Sequence, residues 1–200
     1  MSPTSDWGSC RNVLCVRLDA LGDVLMTTPA LRALKESAAG RRVTLLTSPA
    51  GAAVAPLVPE LDACWTYESP WMKATASRPD SREDLAMIER LRAGRFDAAV
   101  IFTVYSQNPL AAAFLCHLAE IPLRLGHCRE NPYHLPTHWV IDPEPGTVVR
   151  HEVRRQLDLV ASVGARPTRN GSRCACRVRR GGGSPRYFGD SPWTEGRPGW

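Results

Sequence analysis

Short apolar runs alternate with amphipathic stretches along most of the chain. Residues 13–18 form a nearly continuous apolar run, which is typical of a strand buried on both faces of a parallel sheet. Similar runs predict further strands at residues 43–47, 64–67, 97–104 and 123–126. Apolar residues at helical spacing predict helices between and after them, at residues 24–34, 50–57, 85–91, 110–118 and 153–160. This alternation predicts an α/β fold, a Rossmann-like doubly wound parallel sheet with helices on both faces.

The boundaries of two helices raise specific expectations. The first helix contains Pro29, so either it is kinked there or a short turn precedes a main helix that begins with Thr28 as its N-cap. A later helix is predicted to begin at Ser81, because Ser81 and Asp84 have the spacing of a capping box. Gly94 is expected to end that helix.

The composition changes after Thr168. Seven of the 25 basic residues lie beyond it, but only two of the 20 acidic ones, so residues 1–168 carry 18 of each sign. A neutral body is a poor electrostatic footprint for a nucleic-acid binder, and we expect no nucleic-acid partner. The sequence therefore divides into an α/β domain over residues 1–168 and an Arg- and Gly-rich tail over residues 169–200, for which we expect disorder.

The turn after the first strand carries two carboxylates, Asp19 and Asp23. Ligands of doubly wound folds bind at the carboxyl ends of the strands, so this turn is expected at a binding edge. Gly22 would let the backbone approach a ligand closely, and the N–H groups that open the next helix can hold an anion. A carboxylate in this place can act as a general base. A helix cap for Asp23 and a solvated turn position for Asp19 are the open alternatives.

Several kinds of site and segment are disfavoured by the sequence. Only Gly22 stands where a dinucleotide fingerprint needs three glycines, and there is no phosphate loop. His134 and His138 have a proline between them, and Cys174 and Cys176 lack the usual spacer, so no metal site is predicted. No stretch approaches the roughly 20 apolar residues of a membrane span, and we expect no transmembrane segment.

Residues 17–32, RLDALGDVLMTTPALR, resemble the opening motif of glycosyltransferase family 9. This is the family of the ADP-heptose:lipopolysaccharide heptosyltransferases. A Gly-Asp pair followed by a Thr-Pro-Ala-Leu helix makes the motif fairly specific. The strand at residues 96–103 and the Leu-Arg-Leu-Gly of residues 123–126 are also similar to the family. The resemblance covers residues 11–167, the first half of the family's usual length.

This resemblance implies the N-terminal half of a GT-B enzyme, in which two Rossmann-like domains face each other across a cleft. The first domain would bind a lipid A–core oligosaccharide as acceptor. The second would bind the nucleotide-sugar donor, expected to be ADP-heptose. Transfer would invert the anomeric centre without a metal or another cofactor. Asp23, the acidic residue of the Gly-Asp pair, would be the catalytic base that takes the proton of the acceptor hydroxyl.

The candidate substrate-binding residues are Gly22, Arg17 and Asn108. Arg17 at the end of the first strand is expected either to meet acceptor phosphates or to have an ordinary surface or ion-pair role. Asn108 follows the fourth predicted strand, together with Gln107, again at the carboxyl edge. The long loop around residues 69–73 is a further candidate, with an exposed linker as its alternative.

Nothing after Pro167 resembles the donor-binding domain of the family. The tail looks like out-of-frame translation of a GC-rich gene. Translating the other two frames downstream of codon 168 would test this hypothesis. A short protein with a basic tail is the alternative explanation. We therefore expect a truncated cytoplasmic transferase, inactive alone, that contacts the cytoplasmic face of the inner membrane at most peripherally. The alternatives are a non-catalytic module for an anionic sugar or nucleotide, and a binder of nucleic acid or anionic surfaces through the arginine tail.

Overall fold

The computed structural model describes residues 7–73 and 75–167. The strands are β1 (Asn12–Arg17), β2 (Arg42–Thr47), β3 (Ala63–Thr66), β4 (Ala98–Ile101), β5 (Leu123–Cys128) and β6 (His138–Ile141). The helices are α1 (Leu21–Glu36), α2 (Pro49–Ala52), α3 (Arg82–Ala93), α4 (Leu110–Leu118) and α5 (Glu152–Ala161). A single 3₁₀ turn, Ala55–Leu57, follows α2.

These six strands form one parallel sheet in the order β3-β2-β1-β4-β5-β6. The chain builds outward from β1 to β3, then returns to the centre and adds β4 on the other side of β1. The topological switch point of the sheet therefore lies between β1 and β4. The predicted fold class, an α/β fold with a doubly wound parallel sheet, is confirmed.

Both faces of the central strands are buried, which is why β1 reads as a nearly continuous apolar run. Val13 and Cys15 pack in the layer that contains apolar residues of α1 and α5. Leu14 and Val16 pack in the opposite layer, with residues of α3 and α4. Side chains of a strand alternate between the two faces, so a single strand supplies both cores.

Helix α1 begins at Leu21 and continues through Pro29 to Glu36 without interruption. The expectation that Thr28 is an N-cap is therefore wrong, because Thr28 lies inside the helix. Its hydroxyl donates to the carbonyl oxygen of Leu25, which Pro29 leaves without its usual N–H donor.

The capping box predicted at the start of α3 does not form. The Ser81 side chain makes no cap hydrogen bond, and Asp84 instead accepts a hydrogen bond of 2.6 Å from the Tyr67 hydroxyl. Helix α3 does end before Gly94, as predicted. A Cβ at Gly94 would come within 2.6 Å of the Phe96 ring, so close packing explains this glycine.

Strand β4 ends at Ile101, before the predicted end at residue 104, and β6 was not predicted. Two residues beyond the end of β4, the carbonyl of Thr103 accepts hydrogen bonds from two side chains of α5. The predicted disordered tail, with Cys174 and Cys176, lies outside the described residues. Within residues 7–73 and 75–167, no helix is long and apolar enough to cross a membrane.

Candidate functional site

A cavity of about 440 Å³ opens at the switch point between β1 and β4. Strand ends and the loops that follow them line it, including Leu18, Asp19, Trp71, Lys73, Ile101, Thr103, Gln107 and Asn108. The lining combines apolar side chains with a few polar groups, as ligand sites in proteins do. Its position agrees with the general rule for ligand binding in doubly wound sheets.

Asp19 is the carboxylate that lines this cavity, and its side chain is only 8% exposed. Its Oδ2 lies 2.9 Å from Nε of Arg17, and its Oδ1 accepts a hydrogen bond from the Gln107 amide. Burial raises the pKa of Asp19 above its usual value, although Arg17 and Gln107 act to lower it. The negative charges of Asp23 and Glu152 add to the rise.

Asp23 lies in the first turn of α1, with 31% of its side chain exposed. Its Oδ2 accepts a hydrogen bond of 3.2 Å from the Ala20 backbone N–H, and its Oδ1 lies 3.1 Å from Nη2 of Arg17. The positive end of the helix dipole also favours a carboxylate at this position. Asp23 thus stabilises the helix start and still has an exposed surface, so the two roles considered for it are compatible.

Arg17, the last residue of β1, has a completely buried side chain. The guanidinium contacts three carboxylates, those of Asp19, Asp23 and Glu152. Of the roles expected for Arg17, ion pairing is the one that the structure displays. A direct contact between this buried side chain and an acceptor phosphate has no support in the geometry.

Gly22 and Asn108 are the other two candidate substrate-binding residues. Gly22 is in the first turn of α1 rather than in a loop, and a Cβ built on it would meet no atom within 4 Å. The space beside its backbone is therefore open. Asn108 is exposed, lines the cavity and accepts the Leu110 backbone N–H through Oδ1 at 2.9 Å.

The loop before α3 also reaches this cavity. Trp71, Met72 and Lys73 line it, and the Trp71 ring packs edge-on against Tyr67 with ring centroids 5.8 Å apart. Lys73 brings an ammonium group to the lining. The structure thus places this weaker sequence candidate beside Asp19 and Asn108.

Helix α5 supplies polar groups that sequence reasoning missed. Oε1 of Glu152 lies 3.0 Å from Nη2 of Arg17. Arg155 and Gln156 each donate a hydrogen bond of 3.0 Å to the Thr103 carbonyl. A signal was present, because residues 152, 155 and 156 continue the helical stripe of buried apolar residues at 159 and 160. Polar residues on such a stripe must find partners inside the protein.

The same helix is joined to the end of β6 by buried ion pairs. Arg155 forms two contacts with Asp142, of 2.7 and 2.9 Å, and a third of 2.6 Å with Glu144. Arg150 also contacts Glu144, at 2.9 Å. Burial alone would raise the pKa of Asp142, but Arg155 beside it brings that pKa below its usual value. The pairs fix α5 relative to the carboxyl edge of the sheet.

Comparison with known proteins gives matches in structure alone. No sequence profile of a protein family matches the chain, and neither does any curated protein. A glycosyl transferase of family 9 from Veillonella parvula DSM 2008 matches over 80% of the chain with a TM-score of 0.60 and 17% identity. E. coli ADP-heptose lps heptosyltransferase II matches over 74% of the chain, with a TM-score of 0.58 and 21% identity. E. coli heptosyltransferase WaaC with ADP matches over 80%, with a TM-score of 0.56 and 21% identity.

The chain has the fold of the family 9 glycosyltransferases. It spans 42%, 40% and 49% of the lengths of these three structures, respectively, and so less than half of each. The resemblance seen in the β1–α1 motif is thus confirmed at the level of the fold. The motif, residues 17–32, forms the end of β1, the turn that brings Asp19 to the cavity, and most of α1.

Proposed function

We propose that this chain supplies the acceptor-side domain of a family 9 sugar transferase, with Asp23 as the catalytic base. The observation that carries the proposal is the placement of Asp23. Its partly exposed carboxylate is held by Arg17 and the Ala20 N–H in the first turn of α1, and it shares Arg17 with Asp19, which lines the cavity. A fixed and accessible carboxylate at a ligand-binding edge is what general-base catalysis requires.

The proposed reaction needs one proton acceptor on this domain. Asp23 takes the proton of an acceptor hydroxyl as that oxygen attacks the anomeric carbon of the donor. The acceptor oxygen forms a new bond to the anomeric carbon on the face opposite to the leaving group, which inverts the centre. The bond from the anomeric carbon to the phosphate oxygen breaks, and the nucleoside diphosphate leaves with its electron pair. No metal enters these steps.

The proposed substrates follow from the fold neighbours and from the cavity. One matched E. coli structure contains ADP and another contains ADP-2-deoxy-2-fluoro heptose, so we propose ADP-heptose as the donor. The acceptor would be a lipid A–core oligosaccharide in the cavity, where Asn108 is available for contact, and the open backbone of Gly22 in the first turn of α1 would be a second contact. A lipid-linked acceptor would bring the domain to the cytoplasmic face of the inner membrane.

We also propose that the 200-residue chain has no transferase activity alone. It covers less than half the length of the first three matched structures, and catalysis of transfer depends on aligning donor with acceptor. Purified chain incubated with ADP-heptose and acceptor is expected to release no ADP. Release of ADP by the purified chain that is lost in Asp23→Ala would overturn the proposed inactivity and support Asp23 as the base.

Binding tests the acceptor side directly. Titration calorimetry of the purified chain with delipidated core oligosaccharide and, separately, with ADP-heptose is expected to show preference for the oligosaccharide. Asn108→Ala should weaken that binding several-fold, while Glu83→Gln, at an exposed site on α3, should not change it. Equal binding of glycan and nucleotide would instead favour a non-catalytic module for anionic sugars or nucleotides.

A further inference from the structure

Arg17 connects the proposed base to a helix that lies far along the chain. Its Nη2 is 3.1 Å from Oδ1 of Asp23 on α1 and 3.0 Å from Oε1 of Glu152 on α5. Its Nε is 2.9 Å from Oδ2 of Asp19. The guanidinium is completely buried, so solvent screens these contacts little. One positive charge is therefore shared by three carboxylates from different segments.

Glu152 is itself held in place by its own helix. Gln156, one turn later, donates to Oε1 of Glu152 at 2.6 Å and to the Thr103 carbonyl at 3.0 Å. Gln156 is fully buried, and the Glu152 side chain is 20% exposed. Glu152 does not line the cavity. Glu152 is linked to Asp19 and Asp23 through the Arg17 guanidinium that all three share.

We propose that Glu152 is a positioning residue, which holds the Arg17 guanidinium between α1 and α5 and so fixes the carboxylates of Asp23 and Asp19. Its catalytic meaning rests on the proposed function. A carboxylate that is the sole partner of a guanidinium has a lowered proton affinity. A general base needs proton affinity to accept a proton from its substrate. By sharing Arg17, Glu152 leaves Asp19 more of that affinity. The contribution of Glu152 to the raised pKa of Asp19 agrees with this division of charge.

The test is carboxyl ¹³C NMR of the full 200-residue chain with Glu152→Gln. This variant keeps the side-chain shape and the oxygen that accepts from Gln156, but it removes the negative charge. The titration midpoint of Asp19 is expected to fall by about half a pH unit or more, because Arg17 then serves fewer anions. The carboxyl resonance of Asp23 is expected to move at neutral pH. Gln107, which donates to Asp19, and Lys73, which lines the same cavity, are both unchanged in this variant.

Two further variants separate positioning from a general effect of charge on α5. Asp158→Asn removes a carboxylate that pairs with Arg150 and Arg154 on the outer part of the helix, and the Asp19 midpoint should not move. Glu152→Asp keeps the charge but shortens its reach, and it should give a smaller shift than Glu152→Gln in the same direction. This second variant also serves if the Gln variant fails to fold.

An unchanged Asp19 midpoint in a folded Glu152 variant would overturn the proposal, as would an equal shift in Asp158→Asn. These measurements use no substrate. A failure here would leave Asp23 as the proposed base untouched, and a failure of acceptor binding would leave the coupling of Glu152 to Asp19 intact.

Discussion

The hydroxyl of Thr28 donates a hydrogen bond of 2.9 Å to the carbonyl oxygen of Leu25. In a regular helix that carbonyl would accept the N–H of residue 29, which here is a proline. Thr28 is 6% exposed, so water has little access to take the place of its hydroxyl. The side chain of the residue before Pro29 therefore supplies the donor that the proline lacks, and α1 continues through it.

Thr28→Val is expected to lower the free energy of unfolding by about 1–2 kcal/mol, because it leaves the part-buried Leu25 carbonyl without this donor. In a Pro29→Ala background the same substitution should cost less, since position 29 then has an N–H for the Leu25 carbonyl. Urea denaturation of the four proteins gives the coupling between the two positions. Equal losses in both backgrounds would show that Thr28 stabilises α1 in some other way.

Arg17→Met is expected to destabilise the protein by about 3–5 kcal/mol, because it leaves the buried Asp19 and the part-buried Asp23 and Glu152 without their cation. The loss should be measured by guanidinium denaturation at neutral pH. Arg82→Met is the control, since the Arg82 side chain is 85% exposed and pairs with Asp80 at the surface. No measurable change is expected there. A loss under about 1 kcal/mol for Arg17→Met would contradict a central electrostatic role.

Two glycines should respond to alanine in opposite ways. A Cβ at Gly51 would lie 2.1 Å from Oγ1 of Thr47 and 2.9 Å from Cγ2 of Val24, so Gly51→Ala is expected to cost about 1–3 kcal/mol. A Cβ at Gly22 meets nothing, and Gly22→Ala in α1 should stabilise the protein by up to about 1 kcal/mol. Thermal unfolding measures both.

The Gly22 variant also tests the site. If the acceptor approaches the backbone of Gly22, the added methyl group weakens acceptor binding in a protein that is more stable than before. Unchanged acceptor affinity in Gly22→Ala would remove Gly22 from the binding residues.

Local pattern was sufficient to locate the edge that carries the site. The run that became β1 is apolar throughout because both of its faces are buried, and the turn after it had to lie at the carboxyl edge of a parallel sheet. Asp19 and Asp23 could therefore be placed together before any coordinates were known. The resemblance to family 9 then selected Asp23 as the proposed base, which spacing alone could not do.

Contacts between distant segments were not accessible in this way. Glu152 reaches Arg17 only because α5 packs beside α1. The spacing of apolar residues does not predict which partner a polar side chain on the buried stripe will contact. The sequence also did not predict which of several possible hydrogen-bond partners a side chain would take. Asp84 has the spacing of a capping residue, yet it binds Tyr67 and Arg78 instead.

His127 on β5 is buried in a way that makes stability depend on pH. It is 2% exposed, and its Nε2 lies 3.2 Å from the Arg155 carbonyl oxygen, an acceptor. The proton of the neutral ring is thus assigned to Nε2, and Nδ1 has no hydrogen-bond partner within the described residues. Burial, together with the charge of Arg155, lowers the pKa of His127 to about 4.

Acidification from about pH 6.5 to about pH 4 should therefore destabilise the protein by up to about 3 kcal/mol through His127. In this window the unfolded chain takes up a proton that the folded protein does not bind, so the free energy of unfolding falls as the pH falls. His127→Gln removes the proton site and should flatten this part of the profile, whereas His117→Gln on the exposed side of α4 should keep it. Urea denaturation at several pH values measures the difference between variants, in which the carboxylate contributions cancel. Parallel profiles for His127→Gln and the unsubstituted protein between pH 6.5 and 5 would contradict a neutral His127 in the folded state.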